Sequence, residues 1–77
     1  MPDGRLLRGV TGEEAIRAFV RSGYARREGK GSHVKLNKSG FPSLSIPLHR
    51  ELKIGLLLSQ IKRAGLSVEE FIELLGR

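Results

Sequence analysis

Imidazole is the side chain that takes up and releases a proton near neutral pH, and this chain carries two, His33 and His49. His33 sits in the run Gly31-Ser32-His33-Val34-Lys35-Leu36. If that run is extended, His33 and Lys35 point to one side and Val34 and Leu36 to the other. The apolar pair must face a core, so His33 faces outward, within reach of Arg26, Arg27 and Lys30. Neighbouring cations disfavour an imidazolium, which would leave the ring in the form that accepts a proton. His33 is therefore the candidate general base. Gly29-Lys30-Gly31 directly before it suits a tight turn. Its glycines would also let backbone amides approach a phosphate, although the G-x-x-x-x-G-K pattern of a nucleotide loop is absent. His49, two residues past Pro47, reads instead as a structural histidine near a helix terminus, and its replacement is expected to leave substantial activity.

Other chemistries fit poorly. The chain has no cysteine, and its two histidines, sixteen residues apart, have no neighbouring Asp or Glu placed as partners, so metal-ligand spacing is missing and neither a metal nor a cofactor is expected. Glu13 with Glu14 and Glu69 with Glu70 fall in first helical turns, where capping and the helix dipole account for them. No serine lies in a triad pattern. With Phe19, Tyr24, Phe41 and Phe71 as the whole aromatic complement, of which Phe19 and Phe71 look like core, base stacking is not the main mode of binding.

The elements that must hold these residues are legible in the periodicity. Thr11 and Glu14 have capping-box spacing, and Ala15, Ile16, Phe19 and Val20 then share one face, which predicts a helix over 12–22 ending at Gly23. Segments 24–28 and 32–36, divided by the glycine turn, read as a hairpin. Asn37-Lys38-Ser39-Gly40 makes a second turn, and Leu44 and Ile46 alternate with serines before Pro47 stops the third strand. Ile54, Leu57, Leu58, Ile61 and Ala64 restore the helical period over 54–64, and Ser67 to Glu70 repeats the capping box ahead of a short last helix. The order α-β-β-β-α-α implies an α+β fold, a two-layer sandwich with a three-stranded antiparallel sheet packed on helices. One domain is expected over 1–77, with its core roughly over 11–75, since a chain this short buries only about 60% of its unfolded surface.

Charge narrows the partners. The chain has 14 Lys plus Arg against 8 Asp plus Glu, a net +6, and residues 1–38 hold nine of those bases against four acids. Such an excess attracts polyanions, RNA and DNA first among them. No run approaches the roughly 18 apolar residues of a membrane span, and no secretory leader is evident. With no cysteine, a reducing compartment suits the chain, and it reads as cytoplasmic.

The stretch Gly29-Lys30-Gly31-Ser32-His33-Val34, followed by Ile46-Pro47-Leu48-His49-Arg50-Glu51-Leu52-Lys53 and Ile54-Gly55-Leu56-Leu57, resembles the HicA (YcfA-like) family of toxin ribonucleases. The opening helix with its Ser22-Gly23-Tyr24 exit and the closing Ala64-Gly65-Leu66-Ser67-Val68-Glu69-Glu70-Phe71 extend the likeness over residues 11–72. One departure is Leu56, where the family usually has a threonine after the glycine. The resemblance implies a double-stranded-RNA-binding-domain-like fold and a metal-independent endoribonuclease that cleaves mRNA, paired with an acidic HicB-type antitoxin. It puts the family's catalytic histidine on His33, with Gly31 and Ser32 as the small residues before it. Arg26, Arg27, Lys30 and Lys35 would then contact RNA phosphates. The proton donor to the leaving oxygen stays open between Lys35, a water and His33 itself. Two rival readings, a non-catalytic RNA- or DNA-binding module and an interaction domain for an acidic protein, need only the basic surface.

Overall fold

The computed structural model describes residues 4–27 and 31–77. A 3-10 turn, Gly4–Leu7, precedes α1 (Gly12–Arg21), β1 (Ala25–Arg27), β2 (His33–Asn37), β3 (Leu44–Pro47), α2 (Ile54–Arg63) and α3 (Val68–Leu75). The strands lie in the order β1-β2-β3, both pairs antiparallel. Helices cover one face of this sheet, so the fold is the α+β sandwich that the periodicity implies, and it is compatible with a double-stranded-RNA-binding-domain-like arrangement.

Capping decides where two of the helices begin. The Thr11 hydroxyl accepts the Glu14 N–H at 3.0 Å while Thr11 N–H donates to the Glu14 carboxylate at 2.9 Å. Ser67 and Glu70 repeat the exchange at the start of α3. The donated amide of Thr11 holds the Glu14 carboxyl below its ordinary value against the opposing effect of burial, and the nearby Arg77 guanidinium adds to the lowering. The cap of α2, Lys53, makes no side-chain bond, so that helix depends on packing, through Leu57 and Ile61.

The core joins both layers. Val34, Leu36, Leu44 and Ile46 from the sheet meet Ala15, Ile16 and Phe19 of α1, Leu57 and Ile61 of α2, and Phe71 of α3. The Phe19 and Phe71 rings lie 4.9 Å apart between centroids, and burying each contributes about 1.5–3 kcal/mol. The core starts earlier than Thr11, where the periodicity places its edge: Leu7 and Val10 are fully buried. Leu7 closes the short 3-10 turn and Val10 follows it in irregular chain, so neither belongs to a helical period that would betray it. Tyr24 also departs from its expected place in the first strand. Its ring is buried edge-on to Phe19 and its hydroxyl donates to the Pro42 carbonyl at 2.9 Å, so the residue plugs the join between α1 and the sheet.

Candidate active site

The face of the sheet turned away from the helices carries the candidate site. Val34 pairs across with Ile46, and Leu36 with Leu44, all four buried. The intervening residues His33, Lys35 and Asn37 are exposed. Arg27, Lys35 and Ser45 form one cross-strand row on this outer side, and His33 opens the adjacent row opposite Pro47. Along a strand, His33 and Lys35 are separated by two rises of about 3.3 Å. His33 thus borders the cationic row.

Local sequence explains how His33 is held. Gly31 has a φ of +64°, a backbone state in which a side chain would be strained, and it turns the chain into β2. The Leu48 N–H then donates to the Ser32 carbonyl at 2.7 Å, extending the ladder one residue beyond the His33–Pro47 pair. That makes His33 and Pro47 a non-hydrogen-bonded pair, the arrangement in which opposed side chains come closest, with Cα atoms about 4.5 Å apart. It also explains why a proline is tolerated there, since the missing N–H would point off the edge of the sheet.

The outer edge of β3 is sealed by the start of α1. Gly12 N–H donates to the His49 carbonyl at 2.9 Å. A Cβ at Gly12 would stand 2.2 Å from the Pro47 oxygen and 2.9 Å from the Leu48 Cα, so only glycine allows this approach. Sequence reasoning used Gly12 merely as a helix start. The available signal was a glycine in the first turn of a helix, where it costs propensity and calls for a packing reason.

The expected cationic cluster is brought together only in part. Arg27 lies directly opposite Lys35 on the outer face, and Gly31 and Ser32 are exposed beside His33. Arg26 does not join them. It pairs with Leu36, on the helix side of the sheet, and its guanidinium reaches Glu13 of α1 at 3.3 Å. Alternation turns adjacent arginines to opposite faces, and the acidic first turn of α1 supplies a partner on one of them. Lys30 lies outside the described residues. Lys38 serves the fold: its Nζ donates to the Ser22 carbonyl at 2.9 Å and sits 4.3 Å from the centre of the Phe41 ring. Two like charges directly opposite one another destabilise a sheet. The Arg27–Lys35 pair sets two cations against each other, with no acidic partner among the described residues.

Among the described residues, no three His, Cys, Asp or Glu side chains converge as metal ligands, and no helix is long and apolar enough to cross a membrane. The arrangement defines a class: a small α+β domain with a cationic outer sheet face and a histidine at its border. Residues 12–66 match the family described as the HicA toxin of bacterial toxin-antitoxin systems. The chain belongs to this HicA toxin family, and membership implies an antitoxin as its partner. No curated protein matches the chain.

Proposed function

We propose that this toxin is a single-domain endoribonuclease that cleaves mRNA without a metal ion or cofactor, with His33 as general base. The observation that carries the reading is an outward imidazole bordering two cations placed directly opposite each other. His33 takes the proton of a ribose 2′-OH. The 2′ oxygen attacks the adjacent phosphorus and the bond to the 5′ oxygen breaks, leaving a 2′,3′-cyclic phosphate and a 5′-hydroxyl. Lys35 and Arg27 stabilise the charge that grows on the non-bridging oxygens. Gly31 and Ser32 contact the RNA backbone from the turn before β2, and Lys30 is proposed as a further phosphate contact. A positioned proton acceptor contributes about 10² to 10⁴ in rate.

The same surface suggests its own control. An acidic HicB-type antitoxin seated over His33, Arg27 and Lys35 would match their charge and exclude RNA, in the cytoplasm where both would be made.

Substrate chemistry tests the mechanism. Cleavage should persist in excess EDTA and stop when the scissile nucleotide carries a single 2′-deoxy substitution. Affinity should survive that change, because the phosphates that carry binding are untouched. Cutting of the deoxy substrate, or dependence on added magnesium or manganese, would make water or a metal-bound hydroxide the nucleophile and remove His33 from this role.

A further inference from the structure

Transphosphorylation needs a second proton transfer, to the departing 5′ oxygen, and the strand register points to the group that makes it. The bond from Leu48 N–H to the Ser32 carbonyl carries the β2–β3 ladder past the His33–Pro47 pair. Continuing that register by one residue sets His49 against Gly31, in the turn before β2. The register, continued by the Leu48–Ser32 bond, puts Ser45, Pro47 and His49 on the side of the ladder that carries His33 and Lys35, and burial stops alternating at that point, with Pro47 buried and Leu48 and His49 both exposed. His33 and His49 are then diagonal neighbours, a relation that spans about 7–8 Å and lies within reach of ring side chains. Both are exposed. The backbone at His49 is fixed by the Gly12 N–H on its carbonyl, and the segment beyond it by Leu52 N–H donating to the Val10 carbonyl at 2.8 Å.

We propose that His49 is the general acid that protonates the 5′ leaving oxygen, a role that rests on the ribonuclease reading of His33. The proton of the 2′-OH passes to the ring of His33 as the 2′ oxygen bonds to phosphorus. The bond from phosphorus to the 5′ oxygen breaks, and the proton carried by His49 passes to that oxygen, so no further reactant is needed. In-line displacement puts the entering and leaving oxygens on opposite sides of phosphorus. An acid and a base each about 3 Å from its own oxygen must therefore stand several ångströms apart, as a diagonal pair does. Lys35 is less suited, because an ammonium gives up its proton near neutrality far less readily than an imidazolium. Its place beside Arg27 fits it for the non-bridging oxygens instead. This assignment departs from the sequence reading of His49 as structural.

A leaving group that needs no proton separates an acid from a structural residue. The purified toxin and its His33→Ala, His49→Ala and His49→Gln variants would be assayed on two short RNAs, one ordinary and one with the scissile 5′ oxygen replaced by sulfur. Circular dichroism and a thermal melt verify each variant's fold, and the glutamine variant stands in if the alanine variant does not fold. Loss of His49 should slow cleavage of the ordinary RNA by about 10²-fold or more and leave cleavage of the sulfur substrate near that of the unmodified protein. His33→Ala should be slow on both. A folded His49 variant that cuts ordinary RNA at the full rate, or that is equally slow on both substrates, overturns the assignment while His33 keeps its role. If His33→Ala cuts at the full rate, the ribonuclease reading of His33 falls, and the role of His49 with it.

Discussion

The two ends of β2 use cations in opposite ways. At the Asn37 end, Lys38 is half-buried, its Nζ on the Ser22 carbonyl at the C-terminus of α1 and over the Phe41 ring. Arg63 donates to the Ser43 carbonyl at 3.1 Å close by. Each charge meets a carbonyl or an aromatic face, and the hairpin tip is locked to the helices. At the His33 end, Arg27 and Lys35 oppose each other on the outer face, like charge against like, with no acidic partner among the described residues. A cation with a local partner holds structure; a cation set against another is available to something that arrives. Within one strand of five residues, position relative to the helices separates the two uses.

Three replacements sharpen that contrast. His33→Ala should have the largest effect, lowering RNA cleavage by about 10²–10⁴-fold. Its melting temperature should stay close to that of the unmodified protein, because an exposed side chain leaves no cavity and surface changes usually stay within about 0.5 kcal/mol. A collapsed melt would move His33 to the structural end of the strand.

Next in size, Lys38→Ala should destabilise the protein by about 1–2 kcal/mol through the lost carbonyl bond and cation–ring contact, whereas Lys35→Ala should be neutral or slightly stabilising as it removes a like-charge pair. For a domain of this size each kcal/mol moves the melting temperature by about 4–8 °C, so paired calorimetric melts decide the matter. Equal losses in both variants would erase the distinction between the two ends.

The smallest effect is on the salt dependence of RNA binding. Lys35→Ala should make the slope of log affinity against log salt shallower by about 0.7, one phosphate contact on a single strand, and Lys38→Ala should leave it unchanged. Binding titrations between low and moderate salt on an uncleavable RNA provide the measurement. If Lys38→Ala shifts the slope and Lys35→Ala does not, the functional face has been placed at the wrong end.

Alternation and helical period carried most of this architecture in the sequence, because both are short-range consequences of burial. Val34 and Leu36 turned inward sent His33 outward, and two capping boxes marked the starts of α1 and α3. The clustering of cations was less legible. Arg26 and Arg27 are adjacent in sequence and alternation divides them, but which face each takes follows from the register with β2, Arg26 opposite Leu36 and Arg27 opposite Lys35, and the Glu13 partner of Arg26 lies in a different element. The place of His49 was hidden for a related reason. Proline normally stops a strand, and only the backbone bond between Leu48 and Ser32 shows the ladder running past it.

The contact between Phe19 and Phe71 has a bearing on how the toxin is made. The strands are neighbours in sequence and pair in chain order, so they can form early from local chain. Helix α1 is different: its aromatic partner is translated fifty-two residues later. At about 5–20 residues per second, a nascent chain passes several seconds with α1 made and one wall of its core missing. The layer that backs the strands is complete only after α3 has emerged, so the rigid support behind His33 is a late product of synthesis.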